Sequence, residues 1–125
     1  MAAKVVDASA LGALLFGEPE GVAIAGRLGD ASLVTPALLH FEVANLCLKK
    51  MRRYPKQRDA LVTAFGLLEQ MEVGIAEVDH GEVLGLAERI GLTAYDASYL
   101  WLAHRTGAEL VTLDRRLEAA GATGS

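Results

Sequence analysis

The sequence predicts an α/β protein, a three-layer α/β/α sandwich in which helices cover both faces of a central parallel sheet. Three observations carry this. Four short strand-like runs, at Lys4 to Val6, Ser32 to Val34, Val73 to Val78 and Glu109 to Leu113, are separated by segments with helical apolar spacing. Parallel neighbours need a crossover connection, usually a helix, so this alternation points to a parallel sheet. A chain of 125 residues, 52% of them hydrophobic, also has the size and composition of one core. We therefore expect a single domain over residues 1–125.

The elements follow in order. Lys4-Val5-Val6 is a strand that stops at Asp7, and Ala8 to Phe16 is a helix ended by Gly17. Pro19 suits the first turn of a second helix carrying Val22, Ile24 and Leu28 before the Gly29-Asp30 break. After the Ser32-Leu33-Val34 strand, Thr35 is expected to cap a helix with Pro36 at its first position, apolar through Leu48. A further helix spans about Lys56 to Met71, and Val73 to Val78 alternates as a third strand. Asp79 with Glu82, and Thr93 with Asp96, are capping-box patterns that open two more helices, the first ended by Gly91 and the second reaching Arg105. The fourth strand, Glu109 to Leu113, precedes a last helix from Arg115 to Ala120 and a flexible tail from about Gly121.

Composition narrows the function classes. The longest uncharged apolar stretches are well short of the roughly 20 residues that span a bilayer, and no basic segment leads into an apolar one at Met1, so a cytoplasmic protein with no membrane association is expected. Cys47 is the only cysteine, which excludes an intramolecular disulfide and a thiolate zinc cluster. The net charge of -4 argues against whole-surface attraction to nucleic acid. Half of the twelve basic residues nevertheless fall between Lys49 and Arg58 with no acid among them, a local positive patch on an acidic body. Its cations can track an RNA backbone or simply complement a helix dipole.

Four acids lie in apolar contexts: Asp7, Glu42, Asp96 and Asp114. Asp7 and Asp114 each end a strand and can cap the following helix; if the two strands are neighbours, both also project into one crevice. Asp96 fits a capping box and is equally placed to face that crevice. Glu42 has Leu38, Leu39, Asn45 and Leu46 at helical spacing, so neither capping nor a basic partner accounts for it. Ligands in open parallel sheets sit beyond the carboxyl ends of the strands, where the strand order reverses. Carboxylates collected there, without His or Cys, suit a hard cation such as Mg2+, with Mn2+ as a substitute, over zinc. Phosphodiester hydrolysis is the chemistry that needs such a site, and it requires no side-chain nucleophile.

Val5-Val6-Asp7-Ala8-Ser9, Pro36 with Glu42-Val43-Ala44-Asn45, Ala94-Tyr95-Asp96-Ala97-Ser98-Tyr99 and Leu110-Val111-Thr112-Leu113-Asp114 resemble, in order and spacing, the motifs of the PIN-domain ribonucleases, and among these the VapC-type toxins of toxin–antitoxin pairs. The resemblance covers almost the whole chain. It implies a PIN-like sandwich, endonucleolytic RNA cleavage, a homodimer and a small cognate antitoxin. It assigns metal-binding and catalytic roles to Asp7, Glu42, Asp96 and Asp114, with Ser9, Asn45 and Thr112 in support. Some members carry a further acid just after the last aspartate; here Arg115, Arg116 and Leu117 follow, and Glu118 is about a turn too far on. One firmly held ion, with a second arriving alongside RNA, is therefore expected. The short C-terminal region leaves a sheet of four strands, or five counting a vestigial edge strand.

Lys49, Lys50, Arg52, Arg53, Arg115 and Arg116 are the candidate RNA contacts. Tyr95, Tyr99 and Trp101 can stack a base, although helical spacing assigns the last two mainly to core or dimer surface. His40, His80 and His104 are not grouped at metal-ligand spacing. A catalytically silent PIN-like module that binds RNA or protein is the main rival. A phosphoacceptor receiver domain would carry an adjacent acid pair after the first strand and a lysine ending a late strand, and a haloacid-dehalogenase-type phosphatase would have Asp where Ser9 stands.

Overall fold

The computed structural model describes residues 2–123. Four parallel strands, β1 (Ala3–Val6), β2 (Ser32–Thr35), β3 (Gly74–Ile75) and β4 (Glu109–Val111), form one sheet in the order β3-β2-β1-β4. Seven α-helices accompany them among the described residues: α1 (Ala8–Leu15), α2 (Gly21–Leu28), α3 (Leu38–Arg53), α4 (Arg58–Gln70), α5 (His80–Ile90), α6 (Ala94–Thr106) and α7 (Arg115–Thr123). One helical group packs α1 against α2, α3 and α4; the other packs α5 on α6, and α6 on β1, β4 and α7. The expected α/β sandwich is what the chain forms.

The core runs through both groups. Val5 and Val6 of β1, Val111 of β4, Leu11, Ile24, Leu39 and Val43 from the first group, and Tyr99, Leu100, Leu102 and Leu117 from the second are fully or almost fully buried. Strands buried on both faces read as continuous apolar runs, which is how Val5-Val6 reads. α2 closes on α1 at Gly21, where a Cβ would stand 2.7 Å from the carbonyl oxygen of Ala13. Only glycine permits that approach.

Several boundaries differ from the sequence expectation, each for a local reason. β3 holds two residues rather than the six of Val73 to Val78, because β2 offers partners only at Val34 and Thr35 before it ends. Thr35 does not cap α3. It is a buried strand residue whose hydroxyl donates to the Val6 carbonyl at 3.4 Å, and α3 begins at Leu38. α3 runs on through the basic residues to Arg53, with Lys50, Arg52 and Arg53 in the last turn where the helix dipole favours cations. Pro55 opens a single 3-10 turn, Pro55–Gln57, ahead of α4. β4 stops at Val111, the last residue paired with β1. α7 continues through Gly121 to Thr123, so the tail expected from Gly121 is helical there; its last two residues lie outside the described residues. The sheet has no fifth strand among the described residues.

Candidate active site

The strand order reverses between β1 and β4. The chain lays down β2 and β3 on one side of β1, and then β4 on the other. The register pairs Val6 with Val111, so Asp7 and Thr112 leave the sheet side by side. Asp7 N–H still donates to the Val111 carbonyl at 3.2 Å, which extends the ladder one residue into the crevice.

Two hydroxyls lock the Asp7 carboxylate. Thr112 Oγ1 donates to Oδ2 at 2.5 Å, while Ser9 Oγ (2.8 Å) and Ala10 N–H (3.0 Å) donate to Oδ1. The same hydroxyls hold the end of β4, since Leu113 N–H donates to Ser9 Oγ and Asp114 N–H to Thr112 Oγ1, both at 3.0 Å. Asp114 then accepts from the N–H groups of Arg116 (2.9 Å) and Leu117 (3.1 Å) and so opens α7. Capping and site-building are one arrangement for both aspartates. Asp7 caps α1 while only 5% exposed.

α3 and α6 supply the rest. Glu42, Asn45, Leu46 and Lys49 recur at three- and four-residue steps along α3, and so share one face of it. Asp96 and Tyr99 stand three residues apart on α6. Thr93 Oγ1 accepts the Asp96 N–H at 3.1 Å, leaving the Asp96 carboxylate for the cleft. Tyr99, 1% exposed, crosses between the helices and donates its hydroxyl to Glu42 Oε1 at 2.5 Å. Glu42, Asn45, Leu46, Lys49, Asp96 and Tyr99, with Asp7, Ser9 and Asp114, line one cleft of about 270 Å³.

The cleft is electrostatically strained. Burial, offset in part by the Thr112, Ala10 and Ser9 hydrogen bonds, raises the Asp7 pKa above its ordinary value, and the charge of Asp114 adds to the rise. Glu42 is raised by burial as well, with Tyr99 opposing and the charges of Asp96 and Asp7 reinforcing. Each of the four acids is thus coupled to another by repulsion. Lys49 is the one cation among the residues lining the cleft. The donor set is oxygen-rich and contains no His or Cys, which suits a hard divalent ion. Among the described residues no three acidic, His or Cys side chains converge closely enough to form a protein-only ligand cage. Magnesium does not need one, because it usually keeps several waters and takes one or two carboxylates.

The sequence candidates separate on this map. Asp7, Ser9, Glu42, Asn45, Lys49, Asp96 and Asp114 line the cleft, and Thr112 lies directly behind it. Lys50 instead pairs with Glu18 and sits 5.9 Å over the Phe16 ring; Arg53 stacks on Tyr54 at 5.5 Å. Arg52 and Arg115 are exposed, and the Arg116 guanidinium donates to the Gly91 carbonyl at 3.3 Å. Glu118 lines a different hollow, beside His104 and Glu109. Helical spacing assigns Tyr99 mainly to core or dimer surface, whereas its hydroxyl also reaches Glu42 at the cleft. Its place three residues after Asp96, on the same side of α6, was the available signal.

An α/β sandwich with a carboxylate-rich cleft at the switch point of a parallel sheet defines a class of proteins with an acidic, oxygen-donor site. The PIN-domain family model matches residues 4–122, and the chain belongs to that family. Ribonuclease VapC3 of Pyrobaculum aerophilum is 36% identical over 118 residues, spanning 90% of each chain. Ribonuclease VapC9 of Mycobacterium tuberculosis is 36% identical over 122 residues, covering 94% of this chain and 90% of the relative. Among solved structures, the crystal structure of PAE2754 from Pyrobaculum aerophilum matches with a TM-score of 0.76 at 32% identity, over 95% of this chain and 86% of that one.

Proposed function

We propose that the protein is a divalent-metal-dependent endoribonuclease, the toxin of a toxin–antitoxin pair, which hydrolyses RNA phosphodiester bonds at the cleft of Asp7, Glu42, Asp96 and Asp114. The observation that carries this reading is that four sequence-distant acids line one cleft, where their charges disfavour one another unless a cation is shared. VapC ribonucleases among the relatives support the RNA substrate and the toxin role.

The carboxylates of Asp7, Glu42, Asp96 and Asp114 would hold a Mg2+ or Mn2+ ion, which would supply Lewis acidity for the hydrolysis. The chain's own residues do the positioning. Asp7, which accepts from Ser9, Ala10 and Thr112, is held in one orientation, and the Asp114 backbone is tied to it through Thr112. Tyr99 occupies one oxygen of Glu42 and leaves the other to accept a proton from water. Asn45 orients a carboxylate or water, and Lys49 neutralises phosphate charge as the strand enters. The same reading carries a small cognate antitoxin, a homodimer and a cytoplasmic location. No helix among the described residues is long and apolar enough to cross a membrane.

Purified protein with single-stranded and structured RNAs tests this. Cleavage is expected with magnesium and should fall by at least about a hundredfold with chelator or in Asp96→Asn, the scale of losing one positioned charge-stabilising group. Cutting that survives both changes contradicts the metal-site assignment. Binding of RNA without any cutting would favour the silent module.

A further inference from the structure

Beside the acidic cleft lies a second hollow that the phosphodiester chemistry does not use. It is a groove of about 580 Å³ beyond the carboxyl ends of β2 and β3, walled by Pro36, Ile75, Val83 and Tyr95, with Glu77 and His80 at its polar positions. Tyr95 is 65% exposed and Ile75 54% exposed, although both are large and apolar or aromatic. No Lys or Arg is among the lining residues, so the groove does not suit a phosphate backbone. Its chemistry is an aromatic face, aliphatic walls and a few hydrogen-bonding groups. That is what an unstacked nucleobase requires.

The groove and the cleft share two helices. On α6, Tyr95 and Ser98 face the groove while Asp96 and Tyr99 face the cleft; on α3, Leu38 lines the groove and Glu42, one turn on, the cleft. One helical turn is about 5.4 Å, so along α3 the groove lies about one turn from Glu42, within reach of a nucleotide next to the one at the acids. Ser98 Oγ donates to the Tyr95 carbonyl at 2.6 Å, which ties the first turn of α6 at the edge of the groove.

Resting on the endoribonuclease reading, we infer that this groove is a base-binding subsite, in which Tyr95 stacks an unpaired base of the RNA next to the scissile bond and Glu77 and His80 meet the base edge. Tyr95 is thereby a determinant of where the RNA is cut.

The inference is tested by binding, independently of turnover. In an Asp96→Asn background, a short fluorescein-labelled single-stranded RNA of randomised sequence is compared with an abasic strand of equal length. The base-bearing strand is expected to bind about tenfold tighter, the scale of one base–aromatic stack. Adding Tyr95→Ala should abolish that difference, and Tyr95→Phe should keep it; the exposed position lets both variants fold, which unchanged melting temperatures confirm. Equal binding of the two strands, or a difference that survives Tyr95→Ala, overturns the subsite. Loss of cleavage in Asp96→Asn bears only on the endoribonuclease reading, so the two can fail separately. In the active protein, Tyr95→Ala is expected to broaden the set of cut positions, and an unchanged cut pattern counts against the assignment.

Discussion

Thr112 shows how much of the site rests on single hydroxyls. It donates to Asp7 and accepts from the Asp114 N–H, joining two acids that repel each other. Thr112→Val keeps the shape and removes both bonds; a buried acceptor left unpaired costs about 1–3 kcal/mol. Denaturant unfolding should show that loss, and cleavage should weaken as well. Tyr99→Phe is subtler. The hydroxyl favours ionised Glu42, so its removal lets Glu42 hold its proton to higher pH, and the acidic limb of the pH–rate profile should move upward. An unmoved limb would show that Glu42 does not titrate in the reaction. Stability carries the same sign. Asp7 and Glu42 have folded pKa values raised above 3.8 and 4.5, so the native state binds the extra proton. Their contribution is complete below those ordinary values and is lost as pH rises through the raised ones. The metal-free protein should therefore gain melting temperature from these two groups as pH falls from neutral toward that window. Glu109, lowered first by its hydrogen bond to Arg27, works oppositely but on the surface, where pairs contribute little.

Elements fix where these residues meet. α1 and α2 touch at Gly21, and Gly21→Ala forces a methyl to within 2.7 Å of the Ala13 carbonyl oxygen. Backbone must shift, at a cost of about 1–3 kcal/mol for overpacking, which a shifted denaturant midpoint will show. Cleavage should persist wherever the protein remains folded, since Gly21 is not among the residues lining the cleft. Much of this level was legible in the sequence. Strand ends marked by Asp7 and Asp114 predicted the shared crevice, and the apolar surroundings of Glu42 predicted an inward-facing carboxylate. What sequence could not supply was pairing. Val73 to Val78 alternates like a strand, yet β2 ends after Thr35 and leaves most of it without a partner. Tyr99 on an apolar helix reads as core, and it is core; only the packing of α6 beside α3 shows that its hydroxyl reaches Glu42. The basic run looked uniform, whereas helical geometry aims Lys49 into the cleft and ties Lys50 to Glu18.

Across the whole molecule, the chain concentrates negative charge at one end of the sheet and tolerates the repulsion inside a folded frame. Asp7 and Asp114 also cap helices, but the frame has no such use for Glu42, where Val or Leu would pack more cheaply against the apolar neighbours. The arrangement makes physical sense if a cation completes it, binding only the folded state and stabilising it by mass action. The central claim is that Asp7, Glu42, Asp96 and Asp114 act as one divalent-ion site. Calorimetric titration of magnesium into the wild type and into Asp7→Asn, Glu42→Gln, Asp96→Asn and Asp114→Asn tests it most directly. A single saturable binding event weakened by every one of the four substitutions is the predicted result; magnesium affinity that stays at the wild-type value in all four variants would contradict it.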